Sequence, residues 1–247
     1  MRITEVIHTD LLPEAKIPYS LILPTDPQTT CLWLHGYRER AADLLSLLEP
    51  LAEQHHIAVM LPDVPDTYYL DQPWNACYTE QFLITEFLPF VTARHNLPAE
   101  DLCIAGISMG GFGSLLLGSH FPDLFRKIVC ISGAFILEDI QIGNPEVVGT
   151  DPNNVKHFQN IFGDLPSLGD SVSRNPAVAA CHALEAKQLP PVFLACGTED
   201  LLYPRNVKLR NQLTALGANI TWMEGAGNHT KQFFAPAMAC AFAWLSQ

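Results

Sequence analysis

Two rhythms of apolar residues alternate along this chain. Short continuous runs at 30–35, 57–61, 102–105, 126–132, 191–196 and 219–223 predict strands, most of them buried on both faces. Between them lie stretches with apolar residues three or four positions apart. These predict helices at 42–54, 81–94, 205–216 and 230–246, and another ending at His120-Phe121-Pro122. In the first, Leu44, Leu45, Leu48 and Leu51 share one face. Residues 1–24 predict two edge strands, the second closed by Pro24. Strands alternating with helices predict an α/β fold, a mostly parallel sheet covered on both sides, in one domain spanning 1–247.

Residues 134–188 break the rhythm. Turn signals such as Gly143-Asn144-Pro145 and Asp151-Pro152-Asn153-Asn154 crowd a stretch too long for an ordinary connection. It predicts an internal, lid-like insertion over the carboxyl edge of the sheet, with short helices near 155–162 and 177–186. Its apolar groups available to face inward are Phe135, Ile136, Leu137, Phe158, Ile161 and Phe162.

The run at 102–105 opens directly into Gly106-Ile107-Ser108-Met109-Gly110-Gly111, and a helical pattern follows. Gly-x-Ser-x-Gly between a strand and a helix is a nucleophile elbow. The turn is so tight that a side chain at 106 or 110 strikes neighbouring backbone, and the serine is driven outward in a strained conformation. The amide of Met109 then sits at a helix N-terminus, where it can donate to a developing oxyanion.

A serine hydroxyl needs an imidazole to take its proton and a carboxylate to hold that imidazole in one tautomer. Two strand-ending loops remain after Ser108: Cys196-Gly197-Thr198-Glu199-Asp200 and Gly225-Ala226-Gly227-Asn228-His229. They supply Asp200 and His229, with Glu199 as the rival acid. The chain has nine histidines; His229 differs from the rest in following a strand through a Gly-x-Gly loop. The second oxyanion donor is expected in the loop after His35-Gly36, at the Tyr37 N–H. His35, Tyr69, Trp74 and Tyr203 are candidate substrate-binding residues, and Asp63 is a further pocket candidate. A purely structural role fits each of these equally well.

The formal charge of −12 argues against nucleic acid and anionic membrane surfaces as partners. No stretch reaches membrane-spanning length. Seven widely spaced cysteines without a C-x-x-C pair indicate a reducing compartment. The N-terminus has no signal-peptide core. These features predict a soluble cytoplasmic protein. No His/Asp cluster has metal-ligand spacing, and neither metal nor cofactor is expected. The oligomeric state is left open, a homo-oligomer included.

The block from Gly106 to Ser114, continuing to His120-Phe121-Pro122-Asp123-Leu124-Phe125, resembles the esterase D and tributyrin-esterase group of α/β-hydrolases. That group includes S-formylglutathione hydrolases, feruloyl and acetyl-xylan esterases and mycolyltransferase-like proteins. Leu34-His35-Gly36, Ser132-Gly133-Ala134, Gly197-Thr198-Glu199-Asp200 and His229 with Phe233 and Phe234 also match. Two departures stand beside the substrate: Asn228-His229-Thr230-Lys231 replaces the group's frequent Gly-His-x-Trp, and no further glycine follows Gly36. The resemblance implies the α/β-hydrolase fold and a cofactor-free serine carboxylesterase acting on small esters or thioesters through an acyl-enzyme. A covering insertion predicts short acyl chains, whereas one packed to the side leaves an open groove for bulky esters. The alternatives are a peptidase or acyltransferase on the same fold, or a non-catalytic binding protein that keeps it.

Overall fold

In the computed structural model the apolar runs assemble into one sheet. The structure describes every residue except Asp101 and Thr150, the latter within the 134–188 insertion. The strands are β1 (Arg2–His8), β2 (Lys16–Ile22), β3 (Thr29–Leu34), β4 (Ile57–Pro62), a two-residue hairpin pair β5 (Asp71–Gln72) and β6 (Cys77–Tyr78), then β7 (Leu102–Ile107), β8 (Lys127–Ile131), β9 (Val192–Gly197) and β10 (Ile220–Gly225). Eight of them form the main sheet in the order β1-β2-β4-β3-β7-β8-β9-β10. β1, β2 and β4 are antiparallel neighbours, and every pair from β4 to β10 is parallel. Of the two edge strands expected in residues 1–24, only β1 is one; β2 pairs with both β1 and β4.

The central strands alternate their side chains between two cores, as the pleat requires. Cys31, Trp33, Cys103, Ala105, Val129 and Ile131 pack against α1 (Ala41–His55) and α10 (Lys231–Leu245). Leu32, Leu34, Ile104, Ile128 and Cys130 face the other side. There they meet the segment Phe82–Phe87 that follows α2 (Thr79–Gln81), α3 (Leu88–His95), α4 (Met109–His120), α8 (Pro176–Glu185) and α9 (Tyr203–Ala215). β7, which carries the serine, lies between β3 and β8 in the middle of the sheet. Among the described residues, no helix is long and apolar enough to cross a membrane.

The helix expected at 81–94 is interrupted. α2 passes through a π-helical segment, Phe82–Phe87, into α3. Pro89 has no N–H to return to the Thr85 carbonyl, and its ring crowds that carbonyl; the wider turn absorbs the mismatch. The insertion is more helical than its turn signals suggest. Besides α7 (Pro152–Phe162) and α8, it folds into α5 (Leu137–Ile142) and α6 (Pro145–Val148). Asn144, Asp151 and Asn175 cap α6, α7 and α8 through their side chains, each followed by proline at the first helical position.

α7 rests on the loop that follows β4. Phe162 is fully buried against Tyr68 and Phe112, with ring centroids 4.9 and 6.0 Å away. The Trp74 indole and the Asn75 amide donate to the Asn160 carbonyl, and the Gln72 amide to that of Ile161.

The β1 edge is tied to α3 by a charged cluster. Glu5 receives two hydrogen bonds from Arg94, at 2.7 and 3.1 Å, and one from the Tyr19 hydroxyl at 2.5 Å. These donors hold its carboxyl down at about 2, against the ordinary 4.5. A carboxyl depressed by folding adds stability above its unfolded value and loses it as pH falls through the folded one. Urea unfolding midpoints of Glu5→Gln should therefore lie below wild type near pH 6. The difference should shrink between about pH 4.5 and 2. A constant gap across that window would show that packing, not charge, is lost.

Candidate active site

β7 ends at Ile107, and Ser108 turns the chain into α4 with φ 55° and ψ −115°. A side chain in this region is strained, and the surrounding backbone holds it there. The Ser108 N–H donates to the Ile131 carbonyl at 2.9 Å. Its own carbonyl accepts from Phe112 and Ala134, both at 3.0 Å. A Cβ on Gly106 would stand 2.4 Å from the Gly110 carbonyl group, and one on Gly110 would stand 2.0 Å from the Leu34 carbonyl oxygen. Both glycines are thus required by contact, and the second presses α4 against the end of β3.

That contact brings the loop after β3, which carries the expected oxyanion donor Tyr37, to the elbow. Around it, Gly36 N–H donates to Glu39, Arg38 N–H to Asp66, Glu39 N–H to the Gly36 carbonyl and Arg40 N–H to Asp43. Among the described residues, the Tyr37 N–H has no such acceptor. Met109 is the first residue of α4, where no helical carbonyl precedes its N–H. The two amides expected to form an oxyanion hole therefore both remain available as donors.

At the carboxyl ends of β9 and β10 the acid and the histidine meet. His229 Nδ1 lies 2.8 Å from Asp200 Oδ2. The Asp200 side chain is fully buried, whereas the His229 side chain is 38% exposed. The second Asp200 oxygen accepts from the Leu202 N–H at 2.8 Å. Burial pushes Asp200 up, but the hydrogen bonds from His229 and Leu202 outweigh it and hold the carboxyl below its usual range. Glu199, the rival acid, is exposed. The two loops are locked to each other. Thr198 N–H donates to the Gly225 carbonyl and Glu199 N–H to that of Gly227. A Cβ on Gly197 would stand 2.2 Å from the Gly227 oxygen. Phe234 sets its ring edge-on to His229 at 5.1 Å.

The other candidates are committed to holding the site's surroundings. His35 is buried, with Nδ1 2.8 Å from the Gly36 carbonyl and Nε2 3.1 Å from that of Val64. Tyr69 is fully buried, donates to the His35 carbonyl at 2.8 Å and packs against Gly113. Trp74 clasps the end of α7, and Tyr203 donates to Glu224 on β10. Asp63 accepts from the Ala41 N–H at the start of α1. Each of these five side chains has a structural partner.

Two residues near the site carried no chemical signal in the sequence. Asn206 is fully buried on α9 and clamps the turn after β8: it accepts from the Gly133 N–H and donates to the Gly133 carbonyl. A polar residue on the apolar face of a predicted helix was its one trace. His157 on α7 reaches the Tyr37 hydroxyl at 2.8 Å and joins the insertion to the oxyanion loop. A cavity of about 380 Å³ lies under the insertion, between Phe112, Phe135, Leu137, Leu209 and the Arg205–Asp139 ion pair. Ser108, Asp200 and His229 do not line it.

Comparison with known proteins agrees with this architecture. The model of the Esterase family matches residues 16–233. An acetyl esterase of Caldicellulosiruptor saccharolyticus is 30% identical over 222 residues, covering 88% of this chain and 83% of that protein. Among solved structures, the fluorophosphonate-binding serine hydrolase FphF of Staphylococcus aureus superposes with a TM-score of 0.87 at 22% identity, over 100% of this chain and 98% of the other. The S-formylglutathione hydrolase FrmB of the same organism gives 0.85 at 23% identity, over 100% and 99%. With its mostly parallel sheet, serine elbow and family match, the chain belongs to the Esterase family and is a carboxylesterase-type hydrolase of the α/β-hydrolase fold.

Proposed function

We propose that Ser108, His229 and Asp200 are the catalytic triad of an esterase that cleaves small carboxylic esters or thioesters of short acyl chains. The observation that carries this is the hydrogen bond between His229 Nδ1 and the buried Asp200 carboxylate, on the same sheet edge as a serine in a nucleophile elbow. With Nδ1 committed to Asp200, Nε2 is the nitrogen left to take the proton from Ser108 Oγ as that oxygen attacks the ester carbonyl. The N–H groups of Met109 and Tyr37 receive the oxyanion. Collapse of the tetrahedral intermediate expels the alcohol or thiol, which takes the proton from His229 and leaves an acyl group on Ser108. Water, deprotonated by His229, then releases the acid. These steps need no cofactor. Five of the seven cysteines are buried, where thiols serve as small apolar side chains, which supports a reducing compartment such as the cytoplasm.

Ser108→Ala should leave the fold intact and lower kcat on p-nitrophenyl acetate by about 10⁶. Fluorophosphonate labelling should map to Ser108, and modification elsewhere would sink the assignment. Asp200→Asn should lower kcat by about 10⁴ by favouring the wrong histidine tautomer, with Glu199→Gln close to wild type. The reverse order would move the acid to Glu199.

The insertion supports the short-chain reading as a cover on the same domain. α7 touches the loop of Tyr37 through His157, and its Phe162 ring packs on the Tyr68–Phe112 pair, one helical turn beyond Ser108. The similarity to an acetyl esterase points the same way. Across p-nitrophenyl esters from acetate to decanoate, kcat/KM should peak at roughly two to four carbons. It should fall about tenfold for each methylene beyond the limit. A maximum at about eight carbons or longer would indicate an open groove instead.

A further inference from the structure

The sequence block Ser132-Gly133-Ala134 has no part in the chemistry described so far. Ser132 follows β8 directly and is fully buried. Its φ is +48°, a conformation that suits glycine better than any residue with a Cβ. Among the described residues its hydroxyl has no hydrogen-bond partner of ordinary length and angle. Both features work against a serine: glycine would relieve the backbone, and alanine would remove the orphaned hydroxyl.

Nothing in this turn is loose. The Ser132 N–H donates to the Ala195 carbonyl at 2.7 Å, and Asn206 grips the next residue, Gly133, by both its N–H and its carbonyl. With the backbone fixed on both sides, the hydroxyl is held against the end of β9. The β8/β9 register pairs Ile131 with Ala195 and so sets Ser132 level with Cys196, at the head of the loop whose Asp200 N–H bonds back to the Gly197 carbonyl at 3.1 Å; the hydroxyl there favours the ionised form of the Asp200 carboxylate. Sulfur is a weak acceptor, so the carboxylate is the better partner. One Asp200 oxygen already bonds His229 and the other the Leu202 N–H.

We propose that Ser132 is a positioning residue for the Asp200–His229 pair, its hydroxyl poised as a third donor that holds the carboxylate in place while His229 carries a proton. This rests on the reading of those two residues as acid and base. As positive charge forms on the imidazole, it pulls on the carboxylate. A donor fixed by a strained, clamped turn resists that pull without having to move.

The test is Ser132→Ala beside Ser132→Gly, assayed on p-nitrophenyl acetate. If the serine is merely structural, both variants should keep wild-type kcat, with Tm unchanged or raised. The proposal expects kcat to fall about tenfold or more in both, the scale of a lost hydrogen bond to a charged group. KM should hardly change and Tm should not fall. The downfield proton resonance of His229 Nδ1 should shift or broaden in both variants. Wild-type kcat in either variant, or loss of the fold in both, would overturn it. Asp200→Asn run in parallel separates the two layers. Activity in that variant removes the triad reading itself, whereas its inactivity beside fully active Ser132 variants removes this inference alone.

Discussion

The site depends on one steric contact, between Gly110 on the elbow helix and the carbonyl of Leu34 at the end of the neighbouring strand. No side chain fits between them. Because α4 can approach this closely, the start of that helix lies against the end of β3, from which the loop containing Tyr37 leaves. The strain at Ser108 belongs to the same arrangement. Its N–H and carbonyl are bound to Ile131, Phe112 and Ala134, so α4, β8 and the turn after β8 fix a conformation that an isolated serine would leave.

The acid and the histidine use a different physical device, which is burial offset by hydrogen bonds. A carboxylate withdrawn from water favours its neutral form. Asp200 stays ionised because donors surround it, and His229 is one of them. Leaving the imidazole partly exposed keeps it in reach of substrate and water. The two halves of the site thus solve separate problems. One places Ser108 and the neighbouring amides by backbone contact. The other maintains a charge inside the protein.

Much of this was legible in the residues because it rests on local rules. The continuous apolar runs 30–35, 57–61, 102–105 and 191–196 could only be buried strands. Gly106 and Gly110 flank a serine because nothing larger fits, and Asp200 and His229 follow strands through short glycine loops. The interrupted helix at 82–87 was not legible: the apolar period passes through it, and only Pro89 hints at a break. α5 and α6 were hidden because turn residues there serve as caps and not as loops. The aromatic and histidine candidates stay open between pocket and scaffold in the sequence for one reason. His35, Tyr69, Trp74 and Tyr203 combine an apolar body with a polar tip, which suits a pocket and a scaffold equally, and only their partners decide. The register that sets Ser132 beside the end of β9 is a property of the sheet, with no signature in either segment alone.

The packing of Gly197 on Gly227 sets a limit on how robust the chemistry is. It couples β9 to β10, and β10 is the outermost strand, half exposed along its length and paired on one side only. Edge elements of this kind open at lower free energy than the core they border. When β10 frays, His229 leaves Asp200 while Ser108, the proposed nucleophile, stays seated in the middle of the sheet. Competence is therefore less durable than the fold. If the proposed triad acts, the fraction of molecules able to turn over is governed by the rim of the sheet, and a population can fall silent while its core remains native.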